Sequence, residues 1–114
     1  MNKIRTGFKV VRRMDYFRVA SAFNFGKRVD YNINIWTKRP LYGYGPLSVF
    51  KRLKDAENFI RAEGVSGFEI YLCEYDESSE LKLYSPTNTW TKSWCPEGTD
   101  FAERIKLIQQ MTKS

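Results

Sequence analysis

A chain of 114 residues without a single histidine must draw any chemistry from its cations, rings, carboxylates and thiols. The densest such set is basic and aromatic, and comprises Arg12, Arg13, Tyr16, Arg18, Lys27, Arg28, Trp36, Lys38, Arg39, Tyr42 and Tyr44. Cations neutralise phosphates, and uncovered rings give unpaired bases a stacking surface worth about 1–3 kcal/mol per base. A sheet face presenting both would suit RNA, single-stranded DNA or an acidic protein. Read as structure alone, the same residues are core rings with solvated charges around them.

The remaining candidates are thinner. Tyr42-Gly-Tyr-Gly-Pro46 would let a ligand approach the backbone between two rings, but it matches neither GxGxxG nor a GKS/GKT loop and reads first as a turn. Glu69 and Glu74, near Asp76 and Glu77, stand five apart, so on a regular strand they face opposite sides and make no catalytic pair. Cys95 sits beside Trp94 and Pro96 with Lys92 nearby, yet no histidine is available to activate a thiol. The two cysteines, Cys73 and Cys95, form no CxxC pair, and a zinc site that uses histidine is excluded by composition. No cofactor and no metal are expected.

Charge is divided unevenly along the chain. Residues 1–54 carry 13 Lys and Arg against Asp15 and Asp30, a balance of +11, while residues 55–114 carry 6 against 11 acidic residues, a balance of −5. This split, hidden within the net charge of +6, predicts one basic and one acidic surface if the halves stay apart in space. With 42% apolar and 16% aromatic residues the chain is expected to fold as one domain. No apolar run reaches the roughly 18 residues of a membrane helix, and Met1-Asn-Lys-Ile-Arg-Thr-Gly7 has no signal-type apolar stretch. A membrane partner is therefore not expected, a cytoplasmic protein is, and oligomeric state is not legible.

The elements that must position these groups follow from periodicity. Gly45-Pro-Leu-Ser-Val-Phe50 reads as a short strand. Leu53, Ala56, Phe59 and Ile60 recur at helical spacing until Gly64, and Phe68 to Tyr75 alternates as a returning strand. Phe8–Val11 and Tyr16–Ala22 read as strands around a polar turn. Val29, Tyr31, Ile33 and Ile35 alternate with polar residues as one half-buried strand, and Leu81–Tyr84 as another short one. Ser85–Gly98 reads as an ordered aromatic loop. Thr99 as cap, Asp100 in a first turn and Phe101, Ile105 and Ile108 as a stripe predict a final helix. The fold class expected is α+β: a mostly antiparallel sheet with two helices packed on it, Arg52 to Glu63 and Asp100 to Met111, containing a central strand-helix-strand unit.

From Gly7-Phe-Lys-Val-Val11 through Tyr31–Trp36 and Gly45–Phe50 to Glu69-Ile-Tyr-Leu-Cys-Glu-Tyr75, the chain resembles small uncharacterised proteins of phage and prokaryotic genomes. That resemblance implies a fold, a phage accessory or anti-defence setting and, with it, a host cytoplasm. The strand, alanine-containing helix and strand are also similar to part of ADP-ribosyltransferase-like domains. A nucleotide-binding or ADP-ribosyl-transferring enzyme is thus the alternative, and it would need Tyr42, Tyr44 and Glu69 around one concave site. The preferred reading is a non-enzymatic binding protein that presents the basic and aromatic set to nucleic acid or to an acidic protein.

Overall fold

A computed structural model of the chain describes residues 4–15, 18–21, 29–40, 45–64, 66–84 and 89–113. Its elements run β1 (Ile4–Arg13), β2 (Arg18–Ser21), β3 (Asp30–Asn32), β4 (Trp36–Lys38), β5 (Leu47–Phe50), α1 (Leu53–Glu63), β6 (Phe68–Glu77), β7 (Lys82–Tyr84), β8 (Thr89–Thr91), a 3₁₀ turn at Lys92–Trp94, and β9 (Thr99–Lys113). Every strand pairing among them is antiparallel.

Alternation in β1 and β6 divides their side chains between two faces. Gly7, Lys9 and Val11 fall on one side with Tyr71, Cys73 and Tyr75, because the two strands pair from Ile4↔Asp76 to Arg12↔Phe68. The free edge of β6 pairs with β9, β9 pairs with β5, and β5 returns to β1 at Phe8↔Phe50, so the hydrogen-bonded sheet closes on itself. Gly7 permits that closure: a Cβ there would stand 2.8 Å from both the Phe50 carbonyl oxygen and the Tyr75 ring. Strand β2 extends the sheet from β1 to β3, and β4 pairs with β9. The enclosed core contains Val11, Val19, Tyr31, Val49, Tyr71, Cys73, Tyr75, Ile105 and Leu107.

Outside the closed sheet, α1 covers only part of the surface. Its apolar stripe, Leu53, Ala56, Phe59 and Ile60, packs on Phe8, Val10, Phe68 and Ile70, and burial of a large apolar side chain such as Phe59 stabilises by about 1.5–3 kcal/mol. Gly64 ends the helix at φ 64, donating its N–H to the Ile60 carbonyl, a left-handed cap that glycine adopts without a Cβ penalty. Farther along β1 and β6, the outward residues Thr6, Glu74 and Asp76 are not part of that apolar cluster.

The expected second helix is not there. Residues 99–113 form β9, the longest strand, so the fold is a mostly antiparallel sheet with one helix among the described residues. Helix-forming Ala102, Glu103, Arg104, Lys106 and Leu107 yield to tertiary pairing, because β9 supplies ladder partners to three strands, β4, β5 and β6. Its register against β6 skips Glu103, Ile108 and Met111. Each such bulge bends the strand and shifts the alternation by one residue, so the inward residues Ala102 and Ile105 stand three apart, a spacing that imitates a helix.

Two other expectations are revised. The alternating run Val29–Trp36 is not one strand: Asn34, at φ 67, sits in a turn between β3 and β4, a conformation that asparagine tolerates better than most residues. The stretch 85–98, expected as a loop, carries the 3₁₀ turn and β8, which pairs with residues 82–84. Strands β5 and β6 run in the same direction but are not neighbours, since both pair with β1 and β9. No helix among the described residues is long and apolar enough to cross a membrane.

Candidate functional site

The part of the outer sheet face that α1 leaves open carries charge around one indole. On β4, Trp36 and Lys38 project to the same side, and their partners on β9 are Lys106 and Arg104. The Arg104 guanidinium lies 4.3 Å from the centroid of the Trp36 ring and Lys106 Nζ lies 5.3 Å from it, both within cation–π range. On the far side of β9, Glu74 and Asp76 stand opposite the same two cations, with N to O separations of 3.4 Å for Lys106–Glu74 and 3.5 Å for Arg104–Asp76. These are half-exposed pairs worth about 0–1 kcal/mol, so an anionic ligand can replace them at small cost. Lys38 is exposed.

The other expected site residues separate into groups. Arg13, at the opposite end of the β1–β6 ladder, is held by Glu69 at 2.7 Å and donates to the Tyr71 hydroxyl at 2.8 Å. Its guanidinium pKa is raised, chiefly by the Glu69 hydrogen bond. Arg12 projects to the other face of β1, where its Nε is buried without a hydrogen-bond partner. Arg39 bridges Glu80 and Glu103. In the ladder that runs β1–β6–β9–β4, Lys38 is level with Ile4 and Arg12 lies eight residues along β1, roughly 26 Å away at strand spacing. Trp36 and Lys38 are therefore brought together, while Arg12 and Arg13 stand apart from them. Arg18 lies at the start of β2. Lys27, Arg28, Tyr42 and Tyr44, with Tyr16, fall outside the described residues.

Glu69, the carboxylate of the alternative enzymatic reading, is 9% exposed and committed to Arg13. Nor do the cysteines offer a reactive thiol: burial pushes Cys73 up to about 12, and it raises Cys95 against the opposing charge of Lys92. Among the described residues, no group of three or more His, Cys, Asp or Glu is placed to hold a metal ion.

Sequence reasoning missed the inner face. Lys9 is 4% exposed, with its Nζ donating to the Ser48 carbonyl at 2.6 Å and lying 5.7 Å from the centre of the Tyr31 ring. Burial lowers its pKa to about 8. The Tyr31 hydroxyl, also buried, has no hydrogen-bond partner, and burial raises its pKa. At the other end of the inner face, Asp100 accepts from the Tyr75 hydroxyl at 2.7 Å, from Lys92 Nζ at 2.8 Å and from the Phe101 N–H at 3.0 Å. Burial alone would raise its carboxyl, but these bonds outweigh it and hold the group below the usual range. The same carboxylate tethers the 3₁₀ turn, through Lys92, to β9. In sequence, Lys9 and Asp100 look like ordinary solvent-facing charges, and only closure of the sheet turns them inward.

Arg104 and Lys106 were also overlooked, because they belong to the acidic half of the chain and to a segment expected to be helical. Their signal was present as the alternation Arg104, Ile105, Lys106, Leu107. No family model matches the chain, and neither a curated protein nor a solved structure matches it.

Proposed function

We propose that the protein is a non-enzymatic binding domain whose β4–β9 face takes single-stranded nucleic acid. The observation that carries this reading is Trp36, framed by Arg104 and Lys106 with Lys38 beside it on the open sheet face. A strand of nucleic acid needs cations at phosphate spacing and a ring on which a base can stack, and this face supplies both. A net charge of +6 favours encounter with a polyanion. The bound cations Arg13 and Arg39 contribute to the field but are held by their own carboxylates. Action in the cytoplasm, that of a host cell in a phage accessory setting, is part of this reading and rests on the sequence resemblance.

The test is the anisotropy of a labelled single-stranded oligonucleotide against a duplex of the same length. Preference for the single strand is expected, with Trp36→Ala weakening it about tenfold through the lost stacking platform. Equal affinity for both, or an unaffected Trp36→Ala variant, would remove this reading. Binding of a polyglutamate peptide with no oligonucleotide binding would instead assign the face to an acidic protein.

A further inference from the structure

A second indole stands in the opposite electrostatic setting. Trp94 is 82% exposed, the most exposed large hydrophobic side chain among the described residues. With Pro96 and Glu97 it forms one wall of an open groove of about 490 Å³, whose other wall is the α1 surface at Phe59, Ala62 and Glu63. The groove lining combines apolar Phe59, Ala62, Trp94 and Pro96 with the carboxylates Asp55, Glu63 and Glu97, and no Lys or Arg lines it. Its remaining carboxylate, Asp55, is committed to Arg52 through bonds of 2.8 and 3.0 Å. Neither Glu63 nor Glu97 forms an ion pair among the described residues, although Glu97 lies within the electrostatic reach of Arg52.

The walls are fixed rather than merely adjacent. Lys51 donates its N–H to the Gly98 carbonyl at 2.8 Å, and Thr99 donates to the Pro96 carbonyl at 3.1 Å. Gly98, at φ +83, presses on Asp55 so closely that a Cβ would meet its Oδ2 at 2.0 Å. A groove held open in this way loses little entropy on binding.

We propose that this groove docks a basic segment of a partner protein. An extended peptide would lay an Arg or Lys head over the Trp94 ring and between Glu63 and Glu97, while a neighbouring aliphatic side chain rests on Phe59 and Ala62. Charge complementarity selects the occupant. The carboxylates repel phosphate, which argues against nucleic acid, and the described carboxylates do not gather into a metal site. The chain's own open-face cations, Lys38, Arg104 and Lys106, are carried on paired strands and cannot enter the groove as an extended segment. Cation–π contact and the two carboxylates together account for recognition.

The experiment is a titration of isotope-labelled full-length protein with the amidated peptide Gly-Arg-Leu-Arg-Leu-Gly and, separately, with Gly-Glu-Leu-Glu-Leu-Gly, followed by amide and indole N–H shifts. The basic peptide is expected to move the Trp94 indole and the Ala62, Glu63 and Glu97 amides, saturating by about 5 mM, an affinity reasonable for a short probe. The acidic peptide should leave them in place. Trp94→Ala, and separately the pair Glu63→Gln and Glu97→Gln, should each weaken binding at least about fivefold. The proposal fails if both peptides act alike, if no shift is seen, or if the shifts centre on Trp36. Shifts that grow with protein concentration in the absence of peptide would assign the groove to a second copy and overturn it as well. Because Trp94 lies outside the β4–β9 face, Trp94→Ala should leave oligonucleotide affinity unchanged, so this proposal and the nucleic-acid reading can fail separately.

Discussion

The two faces of the closed sheet use the same kinds of residue to opposite ends. On the outer face, Trp36, Lys38, Arg104 and Lys106 are open or half-open, and the acidic partners of the two β9 cations are held loosely. On the inner face, Lys9, Tyr31, Tyr75 and Asp100 are buried, and all but the Tyr31 hydroxyl have a hydrogen-bond partner. A lysine or an aromatic ring thus has no fixed meaning in this chain. Its meaning depends on which side of a strand it occupies, and substitutions outside should change binding with little effect on stability, while those inside should do the reverse.

The largest expected effect is on the outside. Reversing two charges together, Lys38→Glu with Arg104→Glu, is expected to lower oligonucleotide affinity at least about thirtyfold near 0.1 M salt, through lost phosphate contacts and new repulsion. Calorimetry of the same variant should find a thermal midpoint lowered by only a few degrees, since Lys38 is exposed and the Arg104–Asp76 pair is half-exposed and worth about 0–1 kcal/mol. A variant that unfolded instead would show that the outer strip is structural.

A paired comparison of inner tyrosines should give a smaller effect and a contrast. Tyr75→Phe removes the hydroxyl that donates to Asp100 and should destabilise by about 1–3 kcal/mol in urea unfolding. Tyr31→Phe removes a buried hydroxyl without a partner and should be neutral or slightly stabilising. Equal losses at both positions would mean that Tyr31 has a polar role.

The smallest effect is a pH dependence from Lys9. Its pKa falls from 10.5 in the ordinary state to about 8 in the folded chain, so between those values the unfolded state holds a proton that the folded state has released. Stability should therefore rise with pH through that interval. Cys73 acts in the opposite sense above its ordinary value of 9, because its folded pKa is about 12. The rise should consequently be clearest between pH 8 and 9. Urea midpoints across that range should show it in the native protein and lose it in Lys9→Met.

Much of the α1 region was legible because its signals agree. Leu53, Ala56, Phe59 and Ile60 share one helical face, and Gly64 stops the helix where its left-handed backbone is needed. β6 was equally plain, since Phe68 and Ile70 pack under α1 while Tyr71, Cys73 and Tyr75 face the enclosed core. β9 was not, because three bulges interrupt its alternation and its residues favour helices in isolation. In the candidate site, Trp36 and Lys38 were found from residue type, but their companions Arg104 and Lys106 arrive through a pairing some 70 residues distant in sequence. Composition cannot encode that juxtaposition. It also placed Arg12 and Arg13 in the same set, although the register puts them at the other end of the ladder.

The central claim is that the Trp36 strip meets a polyanion through Lys38, Arg104 and Lys106, and the salt dependence of oligonucleotide affinity tests it most directly. Three phosphate contacts to a single strand predict a slope of about −2 in log K against log salt, falling by roughly 0.7 in magnitude for Lys38→Ala. A flat salt profile, or a slope that Lys38→Ala leaves unchanged, would contradict it.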